Sequence, residues 1–263
     1  MIVLAIDTAT TDLVAGLVEV RDGHTQPEQP PTTPSPRDMT VLAERILATR
    51  SHNELLVPTV TELLAEAGLE FSDLGTVVVG CGPGPFTGLR VGMATASAFG
   101  QALGIPVHGV CTHDAVAALI ADDASADSAD SVSSLVITDA RRREVYWAHY
   151  RGDERIAGPD VVAPASLSIS DSAEDNAVDV LSVPENLREQ VASAGIEAGT
   201  VNYVAPRPAG LIAVADLSAA PEPLVPLYLR RPDAKEPAPK PKSPAIPDVP
   251  GIRGAGAESA KGE

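Results

Sequence analysis

Three groups of residues in the 263-residue sequence could do chemistry. The first is Asp7, which ends the apolar run Ile2–Ile6 and is followed by Thr8, Thr10 and Thr11. In such a turn a carboxylate can hold Mg²⁺ while hydroxyls and loop N–H groups meet phosphate oxygens. Asp7 could equally do no more than cap the turn, and the residues leave both readings open. The second group is Gly80-Cys81-Gly82-Pro83-Gly84-Pro85-Phe86-Thr87-Gly88-Leu89-Arg90-Val91-Gly92. Its glycines allow close backbone approach, its prolines stiffen the turn, and Thr87 is placed to cap a following helix. Free N–H groups there could receive an anion. The spacing is neither GxxxxGK nor GxGxxG. In the competing reading Phe86 plugs a core and the glycines let a helix cross another element. The third group is the thiols and imidazoles. Cys81 would need a histidine base and an orienting group to act as a nucleophile, and no histidine is marked as its partner, so it reads as a packed thiol. His52 precedes an amphipathic stretch and suits a cap or the surface. His108 and His113 are five apart and fall on different helix faces, whereas a metal pair needs i,i+4 spacing, as in HxxxH. There is no HExxH, and Cys81 and Cys111 form no CxxC.

The elements that must position these groups follow from periodicity. Ile2–Ile6 and Leu13–Val20 read as two strands of a hairpin. Arg21–Arg37 reads as a Pro/Thr-rich loop, with room for a short third strand. Met39–Leu47 and Glu54–Ala67 carry helical spacing; in the second, Leu55, Leu56, Val60, Leu63 and Leu64 share a stripe and Gly68 is a natural C-cap. Thr76–Gly80 predicts a buried strand, Leu89–Leu103 a small-residue helix pressed close to other backbones, Ile105–Val110 a strand and Thr112–Ile120 a helix. Ala121–Ser134 reads as an acidic exposed loop. Leu135–Asp139 and Glu144–Tyr150 form a second hairpin around Ala140–Arg143. Val161–Val162, Ala177–Val183 and Thr200–Val204 are short strands, Glu185–Ala194 and Pro208–Ser218 helices, and Leu224–Arg230 an apolar strand-like run. Pro232–Glu263 holds seven prolines in 32 residues and few large apolar side chains. Such a tail cannot offset its ordering entropy by burial and reads as disordered and solubilising.

Composition narrows the function classes. Apolar residues are 44% of the chain but aromatic residues only 3%, so an aliphatic core is required. A net charge of −17 repels free nucleic acid unless basic groups are gathered locally. Arg141–Arg143 is such a cluster; it reads as a turn surface, with a phosphate contact as the other reading. Two scattered cysteines argue against a disulfide framework and for a reducing compartment. The start MIVLAIDTAT lacks a basic n-region, and no run of ~20 apolar residues occurs. A cytoplasmic protein with no membrane partner is expected.

Taken together, MIVLAIDTAT, SHNELLVPTV, GPGPFTGLRVG, IPVHGVCTHDAVAAL, DARRREVYWAHY and the terminal PLYLR resemble the TsaB (YeaZ) family over Met1 to about Arg231. That resemblance implies an α/β chain with a two-lobed actin-like, ribonuclease H-like (ASKHA) fold, its mixed sheets flanked by helices. The implied lobes are residues 1–105, completed by about 208–231, and residues 106–207, with 232–263 as the tail. It also implies a subunit of the complex that forms N6-threonylcarbamoyladenosine at position 37 of ANN-decoding tRNAs. Its partners would be a TsaD-like transferase and a TsaE-like ATPase. The chain would be a homodimer when alone and would meet tRNA only through the complex. Transferases of this group hold a metal through HxxxH; here Thr112 and Val116 stand at those positions and His113 is out of frame. Asp7 is kept, but Thr11 stands where a second acidic side chain is expected. Pro85 replaces the usual Ser of GPGSFTGLR and removes a donor. The adenosine-contacting glycine motif has no counterpart between Tyr203 and Arg230. No catalytic residue, cofactor or metal is therefore expected. Asp7, Thr8, Gly82, Gly84, Phe86, Thr87 and Gly88 are assigned to the turn. Leu55, Leu56, Val60, Leu63, Arg90 and Met93, on first-lobe helices, are candidates to divide between the core and a partner surface. An ATP-binding or hydrolytic enzyme, and a homodimeric scaffold in another process, are the alternatives.

Overall fold

Two mixed sheets, each made of three antiparallel strands extended by two parallel ones, organise the chain. A computed structural model describes residues 1–21, 39–124, 131–169 and 176–230. The first sheet contains β1 (Ile2–Asp7), β2 (Asp12–Glu19), β3 (Thr40–Ala48), β4 (Leu74–Gly80) and β5 (Val107–Val110), in the order β3-β2-β1-β4-β5. β1 pairs antiparallel with β2 and parallel with β4. The second sheet contains β6 (Ser133–Asp139), β7 (Val145–Arg151), β8 (Glu154–Val162), β9 (Ala177–Ser182) and β10 (Glu197–Asn202). Its order, β8-β7-β6-β9-β10, repeats that of the first with the same strand senses. This is the arrangement expected of an actin-like, ribonuclease H-like chain. Both sheets lie within one compact unit, Met1–Arg230.

The helices cover both faces because β1 and β4 are apolar on both sides. α1 (His52–Ala67) and α2 (Phe86–Leu103) pack on one face, where Leu56, Val60, Leu63 and Leu89 meet Leu4, Ile6, Leu13 and Val79. The opposite face, with Val3, Ala5 and Val78, takes Leu211 and Ile212 of the short α5 (Pro208–Ala213). α3 (Thr112–Asp123) lies between the sheets: Ala115 joins the first core, while Val116, Ala117 and Ile120 pack with Val136, Ala148 and Tyr150 of the second. The far face of the second sheet is covered by Leu167, Leu187 and Val191, the last from α4 (Arg188–Ala192).

Several expected elements differ. Met39–Leu47 is not a helix: Thr40–Ala48 is the edge strand β3, hydrogen-bonded antiparallel to β2. Its apolar residues mimic a helical stripe, but Val41, Leu42 and Ile46 are exposed, and the pairing demand of β2's open edge decides the conformation. α3 runs to Asp123 and β6 begins at Ser133, so both ends of the expected 121–134 loop are regular structure. β8 is longer than Val161–Val162, and the expected 185–194 helix is a 3-10 turn followed by α4. Leu224–Arg230 forms no strand; the Leu227 N–H donates to Cys81 O at 2.9 Å, strapping the segment over the end of β4. The expected 21–37 loop, apart from its first residue, and the 232–263 tail lie outside the described residues. Among the described residues no helix is long and apolar enough to cross a membrane.

Candidate functional site

Asp7 and the glycine-rich turn meet where β1, β4, α2 and α3 converge. Asp7 is fully buried. Its Oδ1 accepts from the Ala9 N–H at 2.7 Å, and its Oδ2 accepts from the Thr112 hydroxyl at 2.7 Å. The second oxygen presses against β4 so closely that a Cβ on Gly80 would sit 1.8 Å from it. Burial, opposed by those two hydrogen bonds, pushes the carboxyl up to about 6. Asp7 thus ties the end of β1 to the first residue of α3, and both its oxygens are engaged within the protein. Thr112, the position implied for a metal ligand in the transferases, supplies that tie; Val116, the other, is packed in the core between the sheets.

Thr8 performs the matching task for α2. Its hydroxyl donates to Gly88 O at 2.7 Å and accepts from the Gly92 N–H at 3.0 Å. A Cβ on Gly88 would lie 2.4 Å from Thr8 O, and one on Gly84 would lie 2.3 Å from Ala9 O. The glycines therefore let the turn and α2 sit directly on the backbone after β1. Gly82 O accepts from the Thr112 N–H at 2.7 Å, which ties the turn to α3 as well. The N-cap of α2 is Pro85, with no side-chain cap, so Thr87 does not cap the helix; it lies in the first turn and is exposed.

Phe86 does not plug a core. It is 53% exposed and stacks on Tyr228, with ring centroids 5.1 Å apart. The Arg90 guanidinium lies 4.0 Å from the Phe86 ring centre, and its Nε donates to the Tyr228 hydroxyl at 3.3 Å. This outward-facing cluster joins the glycine-rich segment to PLYLR, two stretches that the sequence alone left unconnected; Tyr228 was missed because its partner is 142 positions away. Of the other surface candidates, Leu55 is exposed, whereas Leu56, Val60 and Leu63 are fully buried and Met93 is 9% exposed. Their stripe faces the first sheet, so Leu55, Phe86 and Arg90 are the ones available to a partner.

An open cavity of about 370 Å³ is lined by Cys81, Cys111, Asp114, Arg155 and Leu224 among others, and a second, lined by Thr10, Pro85, Thr138, Arg141 and Tyr203 among others, measures about 20 Å³. The first is within the ~300 Å³ or more of a small-molecule site, whereas the second holds about one water molecule. Tyr203 helps to close it by donating to Asp12 Oδ2 at 2.6 Å. His113 is buried behind it, with Nε2 2.9 Å from the Thr138 hydroxyl and Nδ1 without a partner. Burial first, and the Arg155 guanidinium second, push its imidazole down to about 3, so it is neutral. Cys81 is a buried thiol pushed up to about 11 by burial, and Cys111 is pushed up to about 12, the wrong direction for a nucleophile. Among the described residues no three His, Cys, Asp or Glu side chains converge as a metal site requires.

The turn between β6 and β7 has an unusual backbone. Arg141, Arg142 and Arg143 are all left-handed, with φ of 64°, 52° and 65°. Consecutive left-handed residues with side chains are costly, at roughly 1–2 kcal/mol each. The turn is held from both sides. The Asp139 carboxylate accepts from the Arg141 N–H at 2.7 Å, Arg230 donates to Ala140 O at 3.0 Å, and Arg230 pairs with Glu144 at 2.6 Å.

The family model described as TsaD: tRNA N6-adenosine threonylcarbamoyltransferase matches residues 43–231. An uncharacterized protein of Mycobacterium leprae is 49% identical over 236 residues, covering 89% of this chain and 56% of that protein. One of Mycobacterium tuberculosis H37Rv is 46% identical over 234 residues, covering 89% of this chain and 93% of that protein. The tRNA threonylcarbamoyladenosine biosynthesis protein TsaB of Escherichia coli is 31% identical over 154 residues, covering 59% of this chain and 57% of that protein. The chain thus spans little more than half the length of the M. leprae and E. coli relatives. Among solved structures, YeaZ from Pseudomonas aeruginosa superposes with a TM-score of 0.58 at 23% identity, covering 81% of this chain and 89% of that one, a likeness of fold.

Proposed function

Because the chain belongs to the TsaB (YeaZ) family, we propose that it is a non-catalytic subunit of the complex that forms N6-threonylcarbamoyladenosine at position 37 of ANN-decoding tRNAs. It binds a TsaD-type transferase and activates it, with a TsaE-type ATPase completing the assembly in the cytoplasm. Alone it is a homodimer. One observation carries the reading: Asp7, the carboxylate that the resemblance would turn towards a metal or phosphate, spends both oxygens on Ala9 and Thr112.

The test is reconstitution. In an assay holding the TsaD-type and TsaE-type subunits, tRNA and threonylcarbamoyl-AMP, modification is expected to depend on this chain. The chain alone is expected to modify nothing. Undiminished modification when it is omitted would remove the proposal. Heat on titration with Mg-ATP would favour an ATP-binding enzyme instead, and co-purification with unrelated proteins would favour a scaffold.

The exposed Phe86–Arg90–Tyr228 cluster gives a sharper prediction. Phe86→Ala is expected to cost at most about 1 kcal/mol of stability, because the ring is half in solvent and loses one stacking partner. Binding to the TsaD-type subunit is expected to weaken about tenfold or more, since exposed aromatic and arginine anchors dominate such interfaces. Size-exclusion with and without the partner, beside thermal unfolding, reads both quantities; unchanged binding would move the interface elsewhere.

A further inference from the structure

We propose that the groove beside β5 is a docking site for an extended, basic segment of a partner protein, which joins the first sheet as a sixth strand. The groove is the open cavity of about 370 Å³, and β5 is the strand that ends the sheet on that side. The Val77 N–H donates to Pro106 O at 3.0 Å and the Cys81 N–H to Val110 O at 2.7 Å, so residues 106 and 110 turn their carbonyls towards β4. The strand is pleated, so Gly109, next to Val110, turns its N–H and C=O the other way, off the edge. Gly109 is exposed and lines the groove, and among the described residues nothing bonds to its backbone from that side. Unpaired edge groups of this kind are a template for another strand. Main-chain bonds to such an edge supply affinity, and the flanking pockets supply specificity.

The rest of the groove selects the occupant. A Cβ on Gly109 would lie 2.8 Å from Leu224 Cδ2, so the 222–227 segment rises directly beside the open edge. The Leu227 N–H bond to Cys81 O holds it there. Val214 and Leu224 give the groove apolar walls. Of its three charged side chains, Asp114, Arg155 and Glu222, Asp114 is matched: one oxygen accepts from the Tyr150 hydroxyl at 2.8 Å and the other from Arg155 at 2.8 Å. Glu222 is exposed and has no partner among the described residues. The groove therefore carries one unmatched negative charge. Successive side chains of a strand alternate between its faces. A segment of alternating apolar and basic residues can thus set one kind against Val214 and Leu224 and the other against Glu222. A second copy of this chain, at a net charge of −17, is repelled.

The experiment titrates the full chain with a fluorescein-labelled peptide of alternating valine and lysine and reads fluorescence anisotropy, with hydrogen exchange of the Gly109 amide as a second readout. Saturable binding that slows Gly109 exchange is expected, and a peptide of alternating valine and glutamate is expected not to bind. E222Q is expected to weaken the lysine peptide about two- to fivefold, as loss of one partly exposed charge pair does, with an unchanged unfolding midpoint. N-methylation of every second peptide residue tests the strand pairing without touching the fold. Methyl groups on the residues that donate to β5 are expected to abolish binding, and methyl groups in the other frame to spare it, because only the first set removes donors from the edge. No saturable binding, equal effects of the two frames, equal binding of the lysine and glutamate peptides, or unchanged affinity in E222Q would overturn the proposal. So would Gly109 exchange that slows with protein concentration alone, which would make a second copy the occupant.

Discussion

The Asp7→Asn variant is expected to be more stable than the parent at pH 7 and above, by about 1–3 kcal/mol, and to lose that advantage as the pH falls from 6 towards 4. The Asp7 carboxyl is pushed up to about 6 from an ordinary 3.8, chiefly by burial. Between those values the folded protein binds a proton that the unfolded chain does not. The parent's stability therefore rises as pH falls through 6 and is at its lowest, as far as Asp7 is concerned, above it. A shift of about two units corresponds to roughly 3 kcal/mol. Asparagine keeps the shape and an oxygen for the Ala9 N–H, and the Thr112 hydroxyl can turn to accept from its amide.

His113 works in the opposite sense. Its folded value of about 3 lies below the ordinary 6.5, so its contribution is complete above pH 6.5 and drains away as the pH falls towards 3. That is worth about 4 kcal/mol or more over the full span. In the parent the two groups nearly offset each other between pH 6 and 4. In Asp7→Asn the compensation is gone, and the variant is expected to be the more acid-sensitive protein. Denaturant unfolding at pH 4, 5, 6 and 7 checks both statements. A variant less stable than the parent at pH 7 would mean that the charged carboxylate is needed, as an ion-holding site would require.

Gly84→Ala is expected to cost about 3 kcal/mol, a large fraction of the ~5–15 kcal/mol that holds an ordinary domain folded. The added Cβ would lie 2.3 Å from Ala9 O and 2.9 Å from both Ala9 C and Ala9 Cα. These are backbone atoms of the turn after β1, held by Asp7 on one side and facing the glycine-rich turn on the other, so overpacking here cannot be relieved by a rotamer change. Gly104→Ala is the control. Its φ of +69° is strained for alanine, but nothing lies within 4 Å of the new Cβ, and about 1 kcal/mol is expected. Equal unfolding midpoints for the two variants would show that the turn is looser than its packing implies.

These cases mark what local sequence can carry. β1 and β2 were legible because a β-branched run, a polar turn and a second apolar run are all neighbours in the chain. α1 was legible from its stripe, with Gly68 as its left-handed cap. The glycine-rich segment was recognisable as a turn between strand and helix, and as the signature of a family. Its alternative uses were not separable, because an anion cradle and a packing device need the same glycines. β3 was misread because Leu42, Ile46 and Leu47 have helical spacing, while the reason for a strand lies in the open edge of β2.

The sequence by itself determined that Gly80–Gly92 would be a tight turn launching a small-residue helix, that the Cys81 thiol would be packed, and that Asp7 would end the first strand. Only the tertiary structure decided what stands opposite each of them. Asp7 meets Thr112 across 105 positions and Phe86 meets Tyr228 across 142. Burial raises one group's pKa and lowers another's, and the pocket beside Tyr203 closes to about the size of a water molecule. The physical reason is that propensity and periodicity act over a few residues. Desolvation, cavity volume and the choice of exposed face arise from surfaces that the fold brings together.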